Sequence, residues 1–198
     1  VFTRKYKVGA KYTIVDAKEV VAMKASVLKG ASKMEVAEIP VPVINEGEVL
    51  VRVILCGVCA SELEAWMGGN GVDRVFGHEA VGIIEAMGEG VVGFQIGDRV
   101  TGLMYQAYAE YAKAHFSSLI KVPESLDDIE AMGEPLSCLV SGVNRTPVDP
   151  EDTAAVIGTG FMGLGFLQLL RIKGVGQTIS IGRQRQEGLD IALRFGAD

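Results

Sequence analysis

The chain has 198 residues, 48% of them hydrophobic and 22% charged, with a formal net charge of −6. That is enough apolar material to bury a core and too much for a disordered chain, and the length suits one domain or one domain with part of another. A negative balance with no long basic run argues against nucleic acid as a partner. Apolar stretches broken by glycine or charge well short of about 18 residues argue against a membrane span. Three cysteines are too few, and odd in number, for a disulfide framework, which points to a reducing cytoplasm.

Residues 1–22 differ in texture from the rest of the chain, with no apolar signal core and no small-residue cleavage site. Met23 opens "MKASVLKGASKMEVAEIPVP", which reads as a natural start: a strand, a turn at Lys29-Gly30 and a second strand ending at Pro40. Codons for Lys18-Glu19-Val20 can spell a bacterial ribosome-binding sequence at normal spacing before Met23. Residues 1–22 are therefore expected to be an extension, translated from upstream and not native. From residue 23 to about 122 the signals are mostly strand. "EVLVRVILCGV" (48–58), "AVGIIEAMG" (80–88) and "DRVTGLM" (98–104) run or alternate apolar, and "YAEYAKA" and "SLIKVP" continue the pattern. Short strands punctuated by glycine turns predict a small irregular β-barrel or sandwich.

After Pro123 the texture changes. Ser125 stands three residues before Asp128 as a helix-start signal. Ile129, Met132, Leu136, Leu139 and Val140 then recur at helical spacing, which predicts a helix within 125–145. Pro147 and Pro150 break the chain. "DTAAVIGTGFMGLGFLQLLRIKG" then reads strand, glycine turn, helix, and "QTISIG" reads as another strand. That order predicts a parallel sheet from about residue 151. Two such strands do not complete a doubly wound sheet, so the sheet is expected to be incomplete and the chain a fragment.

Gly158, Gly160 and Gly163, with Phe161 and Met162 between the last two, form G-x-G-x-x-G between a strand and a helix. The first glycine permits a tight turn and the second the approach of a pyrophosphate. The third allows close helix–strand packing, while the helix N-terminus offers N–H groups to phosphate. In that setting the motif predicts dinucleotide binding. NAD sites usually carry a carboxylate at the end of the second strand. Here the chain reads Gly182-Arg183-Gln184-Arg185. Two guanidiniums suit a 2′-phosphate, so NADP is favoured over NAD.

The remaining polar set is Cys56, Cys59, Ser61, Glu62, His78, Glu79 and Glu134. Cys56 and Cys59 form a C-x-x-C, which by itself suits a redox pair, half of a zinc site or neither. Cysteine, histidine and carboxylate are together the usual zinc ligands, and a catalytic zinc keeps three protein ligands and one open position. Glu134, before Pro135 in an apolar stretch, is an unexpected carboxylate unless a metal or a base is needed there.

"GEVLVRVILCGVCASELEAW", "GHEAVGIIEAMGEGV", "GDRV", "AEY", "EPLSC" and "VIGTGFMGLGFLQLLRIKG" occur in this order from Met23 onward. Taken together, these stretches resemble the zinc-dependent medium-chain dehydrogenases, the alcohol dehydrogenase superfamily. The resemblance implies an α/β protein. A GroES-like irregular β-barrel domain would cover 23–150, and 151–198 would begin a Rossmann domain. It implies zinc held by Cys59, His78 and Glu134, with Glu79 able to approach or exchange at the metal, and Ser61 passing the substrate proton outward. Cys56 matches a position that is not a ligand. A glutamate followed by proline at 134 looks like the polyol and sorbitol dehydrogenase branch. The implied partner is a small alcohol, polyol or carbonyl compound, and the implied full-length form is a homo-oligomer.

Three departures accompany the resemblance. The family commonly has aspartate where Glu62 stands, orienting the zinc-binding histidine. The four-cysteine lobe of a structural zinc is absent, so one catalytic zinc is expected and no structural one. Whole family members are nearly twice this length. Cys138 is expected to be a buried core residue. Two competing readings are a zinc-free quinone-reductase-like enzyme, disfavoured by Cys59, His78 and Glu134, and a non-catalytic nucleotide-binding or structural protein.

Overall fold

A computed structural model of the chain describes residues 4–8, 11–15, 22–183 and 186–198. The chain divides into two compact units, Val1–Glu134 and Pro135–Asp198.

The first unit is built on antiparallel strands. β1 (Arg4–Val8) and β2 (Lys11–Val15) form a hairpin, and so do β3 (Ala22–Gly30) and β4 (Lys33–Pro40). Glu48–Gly57 is β5, and Ala60–Gly68 is the helix α1. Then come β6 (Glu79–Met87), β7 (Arg99–Leu103), β8 (Tyr111–His115) and β9 (Leu119–Lys121). β6 is central, bonded to β5 on one side and β7 on the other; β5 continues to β8 and β7 to β9. The β1–β2 hairpin, within the segment expected to be an extension, joins β6 through Lys7 opposite Met87.

Burial follows from this placement. Val49, Val51, Ala80, Ile84, Val100 and Met104 share one cluster, while Val81 on the opposite face of β6 packs with Val122 and Ala131. A strand covered on both faces needs apolar residues at successive positions, which is why "AVGIIEAM" runs apolar without strict alternation.

The helix expected within 125–145 begins only at Glu134, as α2 (Glu134–Arg145). The signal upstream is real but closes a single turn. Asp127 and Glu130 exchange side-chain and backbone hydrogen bonds of 2.8 and 3.1 Å, and the Ala131 N–H donates to the Asp127 carbonyl at 3.0 Å. Arg99 then fastens this turn through Asp128, Pro123 O and Leu126 O. The Gly133 N–H is taken by Thr101 Oγ1 at 3.0 Å, so the chain restarts as helix one residue later.

The second unit contains most of α2, then β10 (Thr153–Ile157), α3 (Phe161–Lys173), β11 (Gln177–Ile181) and α4 (Gln186–Arg194). β10 and β11 pair in parallel, Thr153 opposite Gln177 through Ile157 opposite Ile181. Val143 of α2 shares a core with Leu170 and Val175. That packing lies within the second compact unit, Pro135–Asp198. Among the described residues, no helix is long and apolar enough to cross a membrane.

Candidate functional site

The β5–β6 ladder ends with Cys56 opposite Ala80 and Gly57 opposite Glu79. The residues just beyond β5 and just before β6 therefore emerge at the same end of the sheet. Cys59 caps the N-terminus of α1 with extended backbone and no side-chain cap bond, so its thiol is free of that duty. His78 is the last residue before β6. The Sγ of Cys59, a ring nitrogen of His78 and a carboxylate oxygen of Glu79 lie within 4.8 Å of one another. A thiolate, an imidazole and a carboxylate are the donor types that zinc prefers, so the group fits a divalent ion of that kind.

Glu134 is not a member of that group, although it is buried at the first turn of α2. Ser61, in the first turn of α1, donates its hydroxyl to Cys59 Sγ at 3.2 Å. Cys56 faces the core cluster of β5 and β6, and burial above all pushes its thiol up to about 11, so it stays protonated. The two cysteines thus have unlike environments, and both are free. Cys138, expected in the core, is exposed.

Glu62 reaches His78 despite the extra methylene. Its Oε1 accepts from the Gly77 N–H at 2.7 Å and lies 3.2 Å from His78 Nδ1. Its Oε2 accepts from the Tyr108 hydroxyl at 2.6 Å. A carboxylate facing Nδ1 fixes the proton on that nitrogen and leaves Nε2 as the lone-pair donor. Tyr108 was not singled out from the sequence. The available signal was a chemical demand: a half-buried carboxylate needs several donors. Spacing gives no hint of which residue answers, because Tyr108 is 46 positions from Glu62. Burial first, and then the Glu62 carboxylate, push the Tyr108 phenol up, which keeps it a donor.

The glycine motif forms a second candidate site within the second unit. Gly158 has φ +114°, which disfavours any side chain, and its N–H donates to the Ile181 carbonyl at 2.8 Å, tying the turn to the end of β11. A Cβ on Gly163 would collide with the Gly158 carbonyl, so α3 packs on β10 only with glycine there. A Cβ on Gly160 would meet open space. Gly160 caps α3, and the N–H groups of Phe161, Met162 and Gly163 stand at the helix end where backbone donors lack intrahelical acceptors. Open space before those donors fits a pyrophosphate. Arg183 is exposed just after β11; Arg185 lies outside the described residues.

Residues 45–124 match the alcohol dehydrogenase GroES-like domain family. Over 89% of its length the chain is 31% identical to an alcohol dehydrogenase of Geobacillus stearothermophilus, of which it covers 62%. It is 29% identical over 88% of its length to a sorbitol dehydrogenase of Bacillus subtilis, covering 60% of that protein. Among solved structures, an Escherichia coli alcohol dehydrogenase (rspB) complexed with NADH superposes with a TM-score of 0.77 and 28% identity, over 89% of this chain and 61% of that one. The chain thus spans about three fifths of the length of these relatives. The resemblance read from the sequence holds, as does the architecture it implied: a GroES-like domain followed by the start of a Rossmann-like sheet.

Proposed function

We propose that this chain, which carries an alcohol dehydrogenase GroES-like domain, is part of a zinc- and nicotinamide-dependent oxidoreductase acting on a small alcohol or polyol. The observation that carries the reading is the convergence of Cys59, His78 and Glu79 at the end of the β5–β6 ladder. When bound, zinc supplies a Lewis acid for a substrate oxygen and the nicotinamide supplies a hydride acceptor or donor.

The chain's own residues do the rest. Cys59 contributes a thiolate, His78 its Nε2 and Glu79 a carboxylate oxygen. Glu134 is the other carboxylate that the resemblance offers as a ligand. Glu62 orients the His78 ring and does not itself bind metal. Ser61, whose hydroxyl already touches the Cys59 sulfur, takes the proton that an alcohol gives up and passes it outward. The N–H groups at the start of α3 receive the pyrophosphate beside Gly158 and Gly160, with Phe161 and Met162 contributing only backbone. Arg183 holds a 2′-phosphate, with Arg185 as its companion, which favours NADP. The chain alone is expected to bind these groups without turning over alcohol, and in full-length form to act as a homo-oligomer in the cytoplasm.

Metal analysis of the purified chain tests this directly. One zinc per chain is expected, lost in Cys59→Ser and in His78→Asn and weakened in whichever of Glu79→Gln and Glu134→Gln removes the ligating carboxylate. A wild-type chain that retains no zinc from zinc-containing buffer would defeat the proposal.

A further inference from the structure

The backbone around His78 is pinned by main-chain hydrogen bonds. The Ala107 N–H donates to the Gly77 carbonyl at 3.1 Å and the Tyr108 N–H to the Phe76 carbonyl at 2.9 Å. Residues 76–78 therefore run against residues 104–108, and this pairing sets the Tyr108 ring beside Glu62. The Tyr108 hydroxyl lies 2.6 Å from Glu62 Oε2 and 3.1 Å from the Gly57 carbonyl. With one proton to give, it donates along the shorter, charge-assisted contact.

The consequence falls on the other oxygen of the same carboxylate. A glutamate has one more rotatable bond than an aspartate, so without a second anchor Glu62 would sample rotamers that withdraw Oε1 from His78. Both side chains are largely buried, with 13% of Glu62 and 18% of His78 exposed, so water does not readily replace a lost partner. We infer that Tyr108 is a positioning residue: by clamping Oε2 of Glu62 it holds Oε1 on Nδ1–H of His78 and leaves Nε2 free to coordinate. Glu62 and Tyr108 then form one unit, in which the phenol compensates for the longer acid.

What the ring is positioned toward rests on the metal reading proposed above, but the positioning itself is measurable without metal. The chain has two histidines, so ring 15N spectra of the metal-free chain contain two sets of signals, and His115→Asn identifies that of His78. In the wild type, His78 is expected as the Nδ1–H tautomer with a hydrogen-bonded ring proton. Tyr108→Phe, which removes only the hydroxyl, should mix the tautomers and weaken that proton signal. Glu62→Asp, which shortens the acid instead, should do the same. Zinc affinity, read by competition with a chromophoric chelator, should fall about tenfold in each, as is typical when such a supporting partner is lost.

Unchanged His78 signals and unchanged zinc affinity in both variants would overturn the inference and leave the metal reading standing. A Tyr108-dependent tautomer in a chain that binds no zinc would do the reverse.

Discussion

At Gly77 the backbone has φ +95°, and a Cβ there would lie 2.5 Å from the backbone nitrogen of Tyr108. An alanine at 77 is therefore strained by conformation and by collision with main chain that cannot swing aside. Gly77→Ala should destabilise the first unit by about 1–3 kcal/mol. Because the Gly77 N–H donates to Glu62 Oε1 and the next residue is His78, the substitution should also weaken zinc binding. Urea unfolding and chelator competition measure the two effects; normal values of both would show that residues 76–78 do not need their pairing with residues 104–108. Cys59 and His78 were singled out from the sequence because few side chains carry their chemistry, and Glu62 because the resemblance puts an acid at its position. Tyr108 was not legible, because tyrosine in "QAYAEY" is equally good strand material and its role comes from a contact across 46 residues.

The element scale shows why local signals succeed in one place and fail in another. The strand–turn–helix around Gly158 is read correctly because two of its glycines answer a local steric demand: a positive φ at 158 and a collision with the Gly158 carbonyl at 163. The helix expected from Ser125 was shortened by partners distant in sequence, Arg99 on the turn at 123–128 and Thr101 on Gly133. Local pattern does not contain those partners. Glu79, by contrast, comes to Cys59 and His78 through the register of β5 and β6, which no local pattern contains.

The same contrast sets a test at this scale. Gly163→Val, by forcing α3 off β10, should abolish dinucleotide binding to the second unit, whereas Arg183→Ala should weaken NADP several-fold more than NAD. Calorimetric titration reads both. Equal losses for the two cofactors in Arg183→Ala would remove the argument for NADP.

For the molecule as a whole, the two units make metal linkage separable. Cys59, His78 and Glu79 all lie in Val1–Glu134, and the dinucleotide turn lies in Pro135–Asp198. A ligand that binds only the folded state stabilises it by mass action, about 2.7 kcal/mol when free ligand is 100 times its Kd. In domains of this size each kcal/mol moves the midpoint by a few degrees, so zinc should raise the thermal transition of the first unit by roughly 5–15 °C over a chelator-treated sample. The metal group includes no residue of the second unit's core of Val143, Leu170 and Val175, so that unit's transition is expected not to move. Differential scanning calorimetry of the wild type, Cys59→Ser and Gly163→Val, each with zinc and with chelator, separates these terms. Cys59→Ser should lose the increment and Gly163→Val should keep it. An increment that survives Cys59→Ser would place the metal elsewhere in the chain.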